Sequence, residues 1–136
     1  MNLYTEGQFD FIICSHVLEH IPDDVQAMRE LYRVLNRGGK AIVMVPINMG
    51  VEKTLENSNE TDVPTRWKLY GQDDHIRQYA KADFVSRLET VGFKVTQMAV
   101  NDFKMGDFER YGIYPTSVLY IAEKQIPLHD ALEFPT

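Results

Sequence analysis

Two clusters of side chains in this sequence have the types and spacing to do chemistry. His16, Glu19 and His20 spell H-x-x-E-H. Wound into a helix, that spacing sets two imidazoles one turn apart beside a carboxylate, as in a zinc hydrolase. The surroundings argue against it. The motif starts at the end of an apolar run and Pro22 follows at once, whereas such a site needs a long helix and a third ligand from another element. A zinc hydrolase using His16, Glu19 and His20 is therefore a remote alternative. No residue is assigned as a metal ligand, and His20 is read as a polar turn residue within reach of a substrate. The second cluster is Asp73, Asp74, His75, Arg77 and Tyr79. His75 titrates near neutral pH and can serve as a base, and the Arg77 guanidinium can hold an acidic substrate group. The plainer reading of the same letters is a solvated, salt-bridged loop. Trp67, between Arg66 and Lys68, and the aromatics Phe103, Phe108, Tyr111 and Tyr114 can wall a pocket or simply pack.

The elements that must hold these groups follow from the apolar pattern. Phe9–Ser15 (FDFIICS) reads as a buried strand. Asp23 is set to cap a helix on which Val25, Met28, Leu31, Tyr32 and Leu35 recur at helical spacing, with Gly38-Gly39 supplying the left-handed residue after its last turn. Residues 40–46 (KAIVMVP) form a second strand, so the segment is a βαβ unit. Residues 47–79 read as a long polar loop. Lys81–Val91 is predicted as a second helix, starting after the poor cap Ala80 and ended by Gly92. Residues 94–100 and 118–122 are the last two strands; with no helix between them they should lie antiparallel. Residues 125–136 carry two prolines and read as an extension beyond a domain of residues 1–124.

Composition narrows the function classes. The chain has 136 residues, enough for one domain, with 44% hydrophobic and 25% charged residues. Its 14 basic and 20 acidic residues give a net charge of -6, the wrong sign for a phosphate-backbone footprint, so no nucleic-acid partner is expected. No apolar run approaches the ~18 residues of a membrane span, and residues 1–10 lack a signal pattern. The one cysteine, Cys14, has no internal partner and reads as a buried small hydrophobe. These features suggest a cytoplasmic protein.

The order β, α, β, long loop, α, β, β resembles the carboxyl-terminal half of a class I S-adenosylmethionine (SAM)-dependent methyltransferase. Four stretches carry the resemblance: residues 9–21 (FDFIICSHVLEHI) as the family's fourth strand and its turn, residues 35–43 (LNRGGKAIV) as the approach to strand five, residues 75–79 (HIRQY) with the helix after them, and residues 118–124 as the final antiparallel strand. The family often has proline at the Arg37 position. The resemblance implies an α/β, partial Rossmann-like sheet of about four strands, mostly parallel with the last antiparallel, and helices mainly on one face. It implies methyl transfer from SAM to a small-molecule acceptor. Ser15, His16 and Val17 would lie beside the cofactor, at the carboxyl end of a strand where ligands of such sheets bind. His20, Trp67, His75, Arg77 and Tyr79 would be on the acceptor side.

The glycine-rich turn and the ribose-binding acid of the family are both missing before Phe9. The resemblance therefore implies a chain that is incomplete or inactive by itself. It also implies a bare apolar sheet face, which is expected to be covered by a homodimer partner, by another chain, or by residues 47–75 or the tail. A dimerising or regulatory remnant of the fold is the alternative function.

Overall fold

The structure, a computed structural model, describes residues 3–57 and 60–127. Its centre is a four-stranded sheet in the order β1-β2-β6-β5, built from β1 (Phe9–Ser15), β2 (Leu35–Met44), β5 (Lys94–Met98) and β6 (Leu119–Glu123). β1 and β2 pair in parallel, while β6 runs antiparallel to both β2 and β5. Strands β1, β2 and β5 therefore point one way and the last strand the other, as the sequence pattern predicted.

Register fixes the two faces, because side chains alternate along each strand and paired residues share a side. Ile12, Ala41, Ala122 and Val95 form one row across the sheet. That side is covered by α1 (Asp24–Val34) and α3 (Lys81–Val91), and Met28, Phe84, Leu88 and Phe93 close the core over Cys14, Val43 and Tyr120. The next row, Ile13, Ile42, Ile121 and Thr96, faces the other way. There Phe11 and Ile13 are 54% and 66% exposed, so this face is open among the described residues. β1 is also an edge strand. A groove of about 660 Å³ runs beside it, lined by Tyr4, Phe9, Ile12, Cys14, Ile21 and Leu31.

α1 begins as read. The Asp23 carboxylate accepts from the Gln26 N–H, and acidic Asp24 sits in the positively polarised first turn. Its end differs. The helix stops at Val34 and the chain passes straight into β2, so Gly38-Gly39 is not a helix cap. The pair forms an irregularity in β2, opposite a register shift between Phe9 and Phe11. Gly38 takes φ +77°, and a Cβ on Gly39 would meet the Asn36 carbonyl at 2.8 Å. The last carbonyls of α1 need no glycine because Lys124 reaches them from the far end of β6. Its Nζ donates to Tyr32 O and Leu35 O, each at 2.9 Å.

Residues 47–79 are not one loop. They hold β3 (Leu55–Glu56) antiparallel to β4 (Arg77–Gln78), and between them α2 (Val63–Tyr70). The Asp62 carboxylate caps α2 by accepting from Thr65, and Gly71 at φ +74° ends it. The aromatic stretch after β5 includes a short helix, α4 (Asp107–Arg110), where Phe108 is buried against Phe103. The extension drawn at 125–136 lies mostly outside the described residues.

Candidate functional site

β1 and β2 end side by side, with Ser15 paired to Met44. The chain then turns sharply. His16 takes a left-handed conformation at φ +56°, its N–H donating to Met44 O at 2.8 Å. This is an uncommon conformation for a residue other than glycine. The turn leaves Ser15, His16 and Val17 exposed at the carboxyl end of the parallel pair. A three-residue 3₁₀ turn, Leu18–His20, follows, then extended Ile21. The H-x-x-E-H letters thus lie on a turn rather than inside a helix.

That turn drives Glu19 inward. Its side chain is 1% exposed, and among the described residues neither carboxylate oxygen has a hydrogen-bond partner. Three imidazoles surround it. Oε1 lies 3.5 Å from His16 Nδ1, 3.7 Å from His20 Nε2 and 3.9 Å from His75 Nε2. The His20 and His75 rings meet edge to face, their centroids 4.7 Å apart. His75 is brought in by backbone pairing, since Ile76 N–H donates to Glu19 O. Burial lowers the His75 pKa below its ordinary value, partly opposed by Glu19, so its ring is neutral at neutral pH. Burial, reinforced by Glu19, raises that of the Cys14 thiol, which stays protonated.

Arg77 holds the turn in place. The residue is 2% exposed; Nη1 donates to Leu18 O and Ile21 O, Nη2 to Pro22 O at 2.9 Å, and Nε to Glu56 at 3.0 Å. Four of its five N–H donors are committed within the protein, and through them Arg77 clamps the 18–22 backbone. Tyr79 is fully buried as well, its hydroxyl donating to Asp24. Burial and that hydrogen bond raise the phenol pKa, so Tyr79 also supports the site from behind. Arg87 joins them, bonding Asp24 at 2.7 Å and Glu56 at 2.8 Å. Burial opposes its charge, but the two carboxylates outweigh it and raise its pKa.

The structure therefore brings His16, His20 and His75 together around Glu19, with Ser15 and Val17 on the exposed rim. Trp67 stands apart on α2, 53% exposed. Of the aromatic stretch, Tyr111 and Tyr114 are exposed and Phe108 is buried. The sequence reading missed the network of Asp24, Glu56 and Arg87. One signal was available: Asp83 and Arg87 are four apart on a helix and do pair, at 3.0 Å.

Comparison with known proteins places this geometry in context. A family model described as a methyltransferase domain matches residues 2–98. The ubiquinone biosynthesis O-methyltransferase of Aeromonas salmonicida is 25% identical over an alignment of 109 residues that covers 75% of this chain and 45% of that protein. This chain thus spans less than half the length of that curated relative. Among solved structures, the protein bound to the Trm112 methyltransferase activator of Haloferax volcanii superposes with a TM-score of 0.59 at 15% identity, over 93% of this chain and 58% of the other. The 1,6-didemethyltoxoflavin N1-methyltransferase of Burkholderia thailandensis, solved with S-adenosylhomocysteine, gives 0.59 at 15% identity, over 92% and 48%. At these identities the structural matches establish the fold alone.

Proposed function

The chain belongs to the methyltransferase domain family, and from that footing we propose that it forms part of a site for SAM-dependent methyl transfer to a small-molecule acceptor. The observation carrying this reading is the left-handed turn at His16. It leaves Ser15, His16 and Val17 exposed at the carboxyl ends of two parallel strands, the position where α/β sheets bind ligands. These three residues are assigned to the cofactor side. His20, His75 and Trp67 are assigned to the acceptor side, with Arg77 and Tyr79 positioning the turn behind them.

The fit to SAM is partial. A glycine turn for close backbone approach and a carboxylate for the ribose have no counterpart at this strand end among the described residues. The cofactor, when bound, supplies an already activated methyl group, so the protein's task is to orient the acceptor against it. One wall of such a site binds weakly, at roughly millimolar affinity, about -4 kcal/mol. The test is a titration of the isotopically labelled chain with S-adenosylhomocysteine, followed by amide chemical shifts. Saturable shifts centred on residues 15–17 are expected. Shifts absent there, or centred elsewhere, overturn the assignment.

The open row of Ile13, Ile42 and Ile121 and the edge position of β1 support a second part of the reading: polypeptide covers this face in solution. A second copy of the chain is the simplest occupant. Buried Cys14 and the lack, among the described residues, of any helix able to cross a membrane fit a reducing, cytoplasmic setting.

A further inference from the structure

The geometry points to a divalent transition-metal site made by Glu19, His20 and His75, with His16 on its solvent side. The site shares His16, His20 and His75 with the cofactor and acceptor sides assigned above, but it is argued from their geometry around Glu19 alone. The ligand atoms of Glu19, His20 and His75 all lie within 4.8 Å of one another. A zinc-sized ion bonds imidazole nitrogen at about 2.0–2.1 Å and carboxylate oxygen at about 2.0–2.2 Å. Tetrahedral ligands at those lengths are therefore about 3.3–3.5 Å apart. The observed separations from Glu19 Oε1, 3.5 to 3.9 Å, are too long for hydrogen bonds and close to what an ion between the groups requires.

Two features make this a built site rather than an accident of polar residues. The first is Glu19 itself, buried with neither oxygen hydrogen-bonded among the described residues. A carboxylate in that state calls for a cation. The second is the orientation of His20. Its Nδ1 lies 3.1 Å from Asp74 O, and a carbonyl only accepts, so Nδ1 carries the hydrogen. In the neutral ring Nε2, the atom facing Glu19, then presents its lone pair. Two acceptors face each other, an arrangement that needs a proton or a metal ion between them. A carbonyl holding the remote imidazole nitrogen is also how metal-ligating histidines are usually oriented. His75, buried beside them, offers the third donor. His16, 65% exposed in its side chain, can swing to a fourth. Two or three nitrogens and one oxygen suit zinc, cobalt or nickel better than magnesium or calcium, which prefer oxygen shells.

The test uses the full chain stripped with a chelator. Zinc is titrated in by calorimetry, and cobalt by visible absorption, which reports coordination geometry. One ion per chain is expected, with uptake raising the melting temperature. Glu19→Gln removes the unpaired buried charge without changing its volume, so the variant should fold, and zinc affinity should fall roughly tenfold or more. Should that variant fail to fold, His75→Gln carries the same expectation. Cys14→Ala should bind as wild type. Stoichiometry well below one, or unchanged affinity in Glu19→Gln and His75→Gln, overturns the site. Uptake lost only with Cys14 does the same.

Discussion

Replacing Arg77 by methionine keeps most of the side chain's volume and removes the guanidinium. Three backbone oxygens, those of Leu18, Ile21 and Pro22, lose their donor at once. Hydrogen bonds from a charged donor are worth about 1.5–3 kcal/mol each, but bonds sharing one side chain are not additive. The Glu56 contact adds little, because that carboxylate is 42% exposed and screened. Breaking a buried charged network by removing one partner typically costs about 3–5 kcal/mol. An expected loss of about 4 kcal/mol follows, a large share of the roughly 5–15 kcal/mol that holds a domain folded. For a chain of this length it corresponds to a fall in Tm of about 14 °C. Arg77→Lys keeps the charge but lacks the planar fork, so it should fall between, near 2 kcal/mol. Urea denaturation followed by circular dichroism gives both values. A cost below about 1 kcal/mol for Arg77→Met would refute the claim that Arg77 holds the 18–22 turn.

Three further outcomes are expected. Hydrogen bonds from Arg87, against the opposing effect of burial and with help from Arg77, hold the Glu56 carboxyl below its ordinary 4.5. The unfolded chain therefore takes up that proton first: the contribution to stability is complete above about pH 5 and is lost as pH falls through the lowered folded value. Glu56→Gln should flatten the acid limb of a stability-against-pH curve; an unchanged limb would remove Glu56 as its source. Lys124→Met uncaps two carbonyls at the end of α1 and should cost about 1–3 kcal/mol, read by the same denaturation; a loss within ~0.5 kcal/mol would mean that water replaces the ammonium. Ile13→Lys on the open face should shift sedimenting species toward monomer and lower the melting temperature through the lost association, whereas a wild-type chain that is already monomeric removes the case for a covering partner.

Local signals made part of this fold legible. The Asp23 cap, the β-rich run of β1 and the Ala80-to-Gly92 bracket around α3 each rest on nearby residues, and all appear in the structure. Gly38-Gly39 misled because a left-handed glycine serves a helix end and a strand irregularity equally well. The residue that decides between them, Lys124, lies at the far end of the chain and reaches α1 only through the fold. α2 was missed because its apolar face is weakly patterned, although Asp62 and Pro64 are a fair start signal. The candidate site was visible as letters but not as geometry. Arg77 lies in a charged stretch that reads as solvated, and only long-range pairing buries it. Glu19 reads as one letter of a polar turn at a strand end, and its burial follows only from the left-handed His16 that turns the chain.

The most direct measurement is the amide chemical-shift titration with S-adenosylhomocysteine. If residues 15–17 form the cofactor wall, the Ser15, His16 and Val17 signals move together and saturate at roughly millimolar ligand, while the open-face signals of Phe11 and Ile13 stay still. If those three signals do not move at any ligand concentration, the carboxyl end of β1 is not a cofactor wall, and the proposed function is wrong for this chain.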